Sequence, residues 1–148
     1  MASDGNREIT TQLSIWWKSH RRGRVFDSSA GFFLPDGSVL SPDTAYAPPR
    51  QLQRLSHDDL ARFLRLTPAF IIELRSPSDR LVSIEEKMEA WMANQVEVGW
   101  LIDPYARSVH VYEAGVATPR IETGSHVAGS GPVAGFVLDL EEVWRCYE

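Results

Sequence analysis

The sequence predicts an α+β protein whose mixed central β-sheet is flanked by a few helices. Three observations carry that expectation. Apolar residues recur at helical spacing over residues 6–19 and again over 83–95. Between and after them lie short strand-length apolar pieces, bounded by Gly, Pro and Asp. One piece, Ala69–Leu74 (AFIIEL), is apolar at almost every position, the pattern of a strand covered on both faces. With 148 residues, no repeat and no low-complexity linker, the chain reads as one domain over 1–148.

In the first helix Ile9, Leu13, Trp16 and Trp17 share a face, and Gly23 ends the segment. Strand-like pieces follow at Arg24–Phe26, Gly31–Leu34 and Ser38–Leu40. The last two are joined by Pro35-Asp36-Gly37, a turn in which proline presets φ and glycine accepts positive φ. Thr44–Ala47 reads as another strand, closed by Pro48-Pro49, and His57–Leu66 as a short helix begun by Asp58 and Asp59. After the apolar strand, Ser83 and Glu86 form an S-x-x-E capping box for residues 83–95, where Ile84, Met88, Trp91, Met92 and Gln95 share a face. Val98–Ile102 and Ser108–Tyr112 read as a hairpin across Asp103-Pro104-Tyr105. Two further strands, Arg120–Glu122 and Val133–Leu138, flank a Gly-rich turn over 124–131, and Glu141–Trp144 makes a last helical turn.

Composition excludes several classes. A chain with 43% hydrophobic and 24% charged residues is neither disordered nor fibrous. No apolar run is long enough for a membrane helix, so no membrane partner is expected. The single Cys146 forms no internal disulfide and suits a reducing, cytoplasmic setting. The four histidines show no zinc spacing, no G-x-S-x-G elbow is present, and the Gly-rich stretch lacks a P-loop lysine. The five tryptophans fall mostly on apolar faces and read as core. Net charge is −5, but residues 1–80 carry 11 Lys/Arg against 9 Asp/Glu, whereas 81–148 carry 4 against 11. The densest basic run, Lys18, His20, Arg21, Arg22 and Arg24, reads either as a complement to a helix C-terminus or as a phosphate contact.

Three ionisable residues stand where a bland fold does not put them. Asp43 follows Pro42 after a strand, Glu73 lies inside the apolar strand, and Lys87 sits at the edge of an apolar helix face, about 60° from Ile84. A buried carboxylate costs several kcal/mol unless paired, protonated or bound to a cation. Two carboxylates on neighbouring strands suit a hard divalent ion, with a lysine to orient water or stabilise phosphoryl charge. Equally open from these residues alone are a salt bridge of Glu73 with Arg75 or Arg80, an ordinary turn at Asp43, and a snorkelling Lys87.

The run Gly31 to Asp43 (GFFLPDGSVLSPD), then Phe70 to Asp79 (FIIELRSPSD), Lys87-Met88, Gly99 to Pro104 (GWLIDP), Val109 to Tyr112 (VHVY) and Gly135 to Leu140 (GFVLDL) resembles the Uma2 family. The resemblance runs from about Asn6 to the C-terminus. It implies a restriction-endonuclease-like core of the PD-(D/E)XK kind, and hydrolysis of DNA phosphodiester bonds with Mg²⁺ or Mn²⁺. Carried onto this chain, it makes Asp43 and Glu73 metal ligands and Lys87 the catalytic lysine, with Glu8 as an additional acid whose alternative is a surface position. The signature expects lysine two residues after the second acid. Arg75 stands there, and an arginine cannot act as a general base but can hold phosphate. Members of the family usually carry a hairpin segment before the first helix, which this chain is expected to lack. The competing expectations are a catalytically inactive member that binds nucleic acid or a protein, and a structural or dimerisation module. A homodimer suits each nucleic-acid reading.

Overall fold

The computed structural model describes residues 3–53, 55 and 63–148. Its centre is a six-stranded sheet, ordered Arg24–Phe26, Thr44–Ala47, Phe70–Leu74, Val98–Asp103, Ser108–Glu113 and Arg120–Glu122, with a small hairpin on one side and a second two-stranded sheet near the C-terminus. The strands are β1 (Arg24–Phe26), β2 (Phe32–Phe33), β3 (Val39–Leu40), β4 (Thr44–Ala47), β5 (Phe70–Leu74), β6 (Val98–Asp103), β7 (Ser108–Glu113), β8 (Arg120–Glu122), β9 (His126–Ala128) and β10 (Val137–Asp139). Helices are α1 (Asp4–Lys18), α2 (Pro49–Leu52), α3 (Leu81–Ala93) and α4 (Leu140–Arg145). Among these strands only β5 and β6 pair in parallel, which requires the crossover that α3 provides. The α+β class and the mixed sheet are thus as the sequence predicts.

Alternation along β5 and β6 sorts the core into two layers. Phe70, Ile72 and Leu74 of β5, with Val98, Trp100 and Ile102 of β6, pack with Ile9 and Leu13 of α1 and with the C-terminal segment. Ile71 and Leu101 pack on the opposite face with Ile84, Met88 and Trp91 of α3. Glu73 is two residues from Ile71 and therefore points to the α3 face. Gly99 lets α3 approach, because a Cβ there would come 2.9 Å from the Met88 methyl carbon. The tryptophan expectation holds: Trp91, Trp100 and Trp144 are buried, and Trp16 and Trp17 pack against the core.

Several boundaries differ from the sequence reading. Ser83 does not cap α3, which begins at Leu81. The Ser83 and Ile84 amides already donate to the Arg80 carbonyl, at 3.1 and 3.2 Å. Gln95 is not on the buried face: it is exposed with φ +77, beyond the end of α3. Asn94 closes that end by donating Nδ2 to the Ala90 carbonyl, while its Oδ1 accepts from the Asp36 amide in the predicted Pro-Asp-Gly turn. The Gly-rich stretch is not simply a turn, since His126–Ala128 pairs antiparallel with β10. Val133 belongs to a 3₁₀ turn instead of a strand, because Pro132 opens that turn and Gly135, at φ +95, breaks the extended run. Pro48-Pro49 ends β4 as expected but also opens α2. The expected helix over 57–66 falls largely outside the described residues, and its last part supplies Leu64, which bridges Phe32.

Gly23 sets the tight passage from α1 into β1. Its φ is +78, and a Cβ would stand 2.4 Å from the Ala47 carbonyl oxygen. Gly23→Ala is therefore expected to cost about 2 kcal/mol or more, read as a lower denaturation midpoint with an unchanged m-value. A shift of under about 0.5 kcal/mol would contradict this geometry.

Candidate active site

The carboxyl ends of β5 and β6 open into a cleft of about 790 Å³ whose walls include the first turn of α1 and the start of α3. Strand pairing places its acids. In the β4–β5 ladder Thr44 faces Ile72, so the next step brings Asp43 opposite Glu73. The Leu74 amide donates to Asp43 Oδ2 at 2.7 Å and fixes that carboxylate against the end of β5. On its other oxygen Asp43 accepts a hydrogen bond from Asn6 Nδ2 at 3.3 Å.

Glu73 is 2% exposed. Two side chains of α3, four residues apart and therefore on one helix face, reach it. Trp91 Nε1 donates to Oε2 at 2.9 Å, and Lys87 Nζ lies 3.0 Å from the same oxygen. Lys87 also donates to the Ser41 carbonyl at 2.9 Å, so its ammonium bridges the loop before Asp43 and the strand of Glu73. Burial is the largest influence on Glu73 and pushes its pKa to about 7. The Asp43 charge adds to the rise, while Lys87 and the Trp91 hydrogen bond oppose it.

Glu73 pairs with Lys87 and not with Arg75. Arg75 Nη1 donates to Asp103 Oδ2 at 3.0 Å, and its guanidinium lies 5.8 Å from the Tyr105 ring centre on the cleft wall. Arg80 forms no ion pair with Glu73 among the described residues. The structure thus brings Asp43, Glu73, Lys87 and Arg75 to one cleft. Glu8 is not with them: it accepts from Gln12 Nε2 at 3.0 Å and does not line the cavity. From α1 it is Asn6 that enters.

Sequence reasoning missed Asn6, Trp91 as a hydrogen-bond donor, and Asp103 as the partner of Arg75. Trp91 carried a usable signal, because an indole N–H placed in a core needs an acceptor and Lys87 stands one turn earlier. Asn6 carried none; Glu8 stands out by its charge, and only α1's position settles which residue faces Asp43.

The donor set fits a hard divalent cation. Asp43 and Glu73 offer carboxylate oxygens, and Asn6 Oδ1 is buried with no hydrogen-bond partner, an oxygen that a cation or its water would satisfy. Among the described residues no group of three or more His, Cys, Asp or Glu converges. A bound ion would therefore rely on two carboxylates and retained waters, the pattern Mg²⁺ favours.

A mixed sheet with a parallel pair at its centre, and a cleft that gathers Asp43, Glu73 and Lys87 where β4, β5 and α3 meet, define an α+β protein with one polar site. The chain belongs to the Uma2 family, described as "Putative restriction endonuclease", which it matches over residues 2–141. Among solved structures it is similar to the crystal structure of a putative nuclease belonging to DUF820 from Anabaena variabilis. That likeness has a TM-score of 0.79 at 18% identity and covers 97% of this chain and 80% of the other. No curated protein matches.

The raised pKa sets the sign of a stability effect in the metal-free protein. Folded Glu73 keeps its proton to about pH 7, whereas its ordinary value is 4.5. Between these limits the folded state binds more protons than the unfolded state, so stability falls as pH rises. The decline from this group is about 3 kcal/mol. In EDTA, Glu73→Gln is expected to flatten the stability–pH curve between pH 4.5 and about 7 and to be the more stable protein at about pH 8. Parallel curves for parent and variant would contradict the assignment.

Proposed function

We propose that this chain is an endonuclease that hydrolyses DNA phosphodiester bonds with Mg²⁺ or Mn²⁺ held by Asp43 and Glu73. The observation that carries the reading is the Asp43–Glu73–Lys87 cluster at the mouth of a cleft, within a family described as "Putative restriction endonuclease". In this reading Asp43 is held rigidly by the Leu74 amide and Asn6, so a carboxylate oxygen is presented without reorganisation. Glu73 is kept in place by Trp91. When bound, the cation supplies Lewis acidity toward a phosphoryl oxygen and lowers the pKa of a bound water.

Lys87 balances Glu73 in the free protein. With Glu73 engaged elsewhere, its ammonium, still anchored on the Ser41 carbonyl, orients the attacking water or stabilises charge developing on phosphate. Arg75 is held by Asp103 and Tyr105 at the rim, where a fixed guanidinium suits a phosphate oxygen. Glu8 serves only at the helix surface in this account. Location in the cytoplasm and a homodimer complete the reading; the sheet edge at β8, where Ile121 is exposed, is one surface suited to the latter.

Arg75 favours a second reading. It stands where the nuclease signature has lysine, and its charge is already committed to Asp103. A non-catalytic member that binds nucleic acid or a protein partner would show the same cleft without turnover.

The test is cleavage of supercoiled plasmid DNA in Mg²⁺ and in Mn²⁺. The parent is expected to nick it and EDTA to stop the reaction. Glu73→Gln and Asp43→Asn should lower the rate by about 100-fold or more, and Lys87→Met by about 10²–10⁴-fold, the range of positioned acid–base groups. No cleavage by the parent of plasmid, single-stranded DNA or RNA would establish the non-catalytic reading; cleavage retained in Glu73→Gln would remove Glu73 from the site.

A further inference from the structure

Among the described residues Arg7, Arg50, Arg75, Lys87, Arg107, Arg120 and Arg145 each lie against a carboxylate, whereas Arg65 lies against the Phe33 ring and Arg80 forms no ion pair. Lys18, Arg21, Arg22 and Arg24 cluster where α1 passes into β1, and none forms an ion pair among the described residues. In a protein of net charge −5, four neighbouring cations with no ion pair among the described residues stand out. Two of them rest on aromatic rings. The Arg21 guanidinium lies 5.5 Å from the Trp17 ring centre, that of Arg24 lies 5.2 Å from the Phe26 ring centre, and the Arg22 amide donates to His20 Nδ1 at 2.9 Å. Arg21 adopts φ +55, a conformation usually left to glycine or asparagine. Aromatic support holds guanidinium planes outward at a reduced entropic cost.

Two general effects account for part of the cluster. The dipole of α1 favours Lys18 in its last turn, and β1 is an edge strand, where Arg24 discourages unwanted pairing. Neither accounts for Arg21 or Arg22, which lie between the helix and the strand.

The cluster is connected to the cleft by α1 itself. Asn6 touches Asp43, and Lys18 is twelve residues further along, about 18 Å of helix rise. A groove of about 280 Å³ starts at Asn6 and Asp43 and runs along Thr10 and Thr11 opposite Ser28 and Ser29. Arg7 and Asp27 also line this groove, and Asp27 accepts from the Ser29 amide at 2.9 Å and from the Ser29 hydroxyl. The groove follows the first half of α1 from the carboxylate site as far as Thr11; of its hydroxyls, that of Thr10 is paired with Thr44 and that of Ser29 with Asp27. Eighteen ångströms is about five base steps of duplex DNA.

We propose that Lys18, Arg21, Arg22 and Arg24 form an anchoring site for the sugar–phosphate backbone of duplex DNA, about five base steps from the Asp43–Glu73 pair, with the strand following the α1 flank. This inference rests on the nucleic-acid reading above. It gives an acidic protein with an acidic cleft its means of holding a polyanion, and it does so through backbone contacts that carry no sequence information.

The test is fluorescence anisotropy of a labelled duplex of about twenty base pairs, in EDTA, across 50–200 mM KCl, so that cleavage plays no part. The triple variant Arg21→Gln, Arg22→Gln, Arg24→Gln is expected to bind at least tenfold more weakly at 100 mM salt. Its log K against log[salt] slope should be shallower by two to three, since each phosphate contact contributes about 0.9. Replacing the same three residues by Lys should keep the slope, and neutralising Arg107 and Arg145 should change neither quantity. Should the triple variant fail to fold, Arg22→Gln alone is expected to lower the slope by about 0.9. Parent-like affinity and slope in the Gln variants would overturn the anchoring site while leaving the nuclease reading intact. If the parent binds no duplex at any salt concentration, both the anchoring site and DNA as substrate are overturned.

Discussion

A carboxylate in the middle of a sheet, covered by a helix, must have its charge balanced or give it up, and Glu73 is in that position. Its neighbours follow from the requirement. Trp91 turns its indole N–H to the same oxygen that Lys87 approaches at 3.0 Å. Both groups come from one face of α3, so the helix cannot rotate or slide without exposing the charge to an apolar layer. Asp43, opposite Glu73 across the β4–β5 ladder, works against this balance by adding like charge. Such an arrangement is poor as a device for stability alone, because an apolar residue at position 73 would pack on Ile71 and Leu101 with no charge to neutralise. It is well suited to receiving a cation.

The sheet order determines where the cleft opens. The parallel pair β5–β6 sends both strands toward the same edge, so Leu74 and Asp103 end side by side and Arg75 crosses to Asp103. The N-terminal turn of α1 arrives at this edge from the other face and delivers Asn6 to Asp43. Elements from both layers therefore meet at one cleft. The far end of α1 leads away from it to the cationic cluster, which makes this helix the link between the chemistry and the surface that would hold a long anionic substrate.

Much of this architecture is legible in the amino-acid sequence. Periodicity identifies α1, α3 and the strands from β4 to β7, because each of these carries enough apolar positions to declare its period. The Pro35-Asp36-Gly37 turn is legible for the same local reason. What sequence reasoning misses is decided at a distance. Ser83 and Glu86 have the spacing of a capping box, yet the chain is already helical at Leu81. Only Val127 of β9 is buried, so three residues among glycines offer no alternation to read. In the site, Asp43, Glu73 and Lys87 stand out because charge beside apolar sequence is conspicuous. Asn6 is neutral and sits in an ordinary first turn, so only the placement of α1 against β4 shows its importance.

Calorimetric titration of Mn²⁺ into the metal-free protein and into Glu73→Gln, in two buffers of different ionisation enthalpy at about pH 6.5, tests the central claim most directly. The account predicts one ion bound by the parent with release of a proton, because Glu73 is largely protonated at that pH and must ionise to act as a ligand. It predicts no such binding in the variant. Equal binding by both proteins, or binding by the parent without proton release, would contradict a cation site built on Glu73.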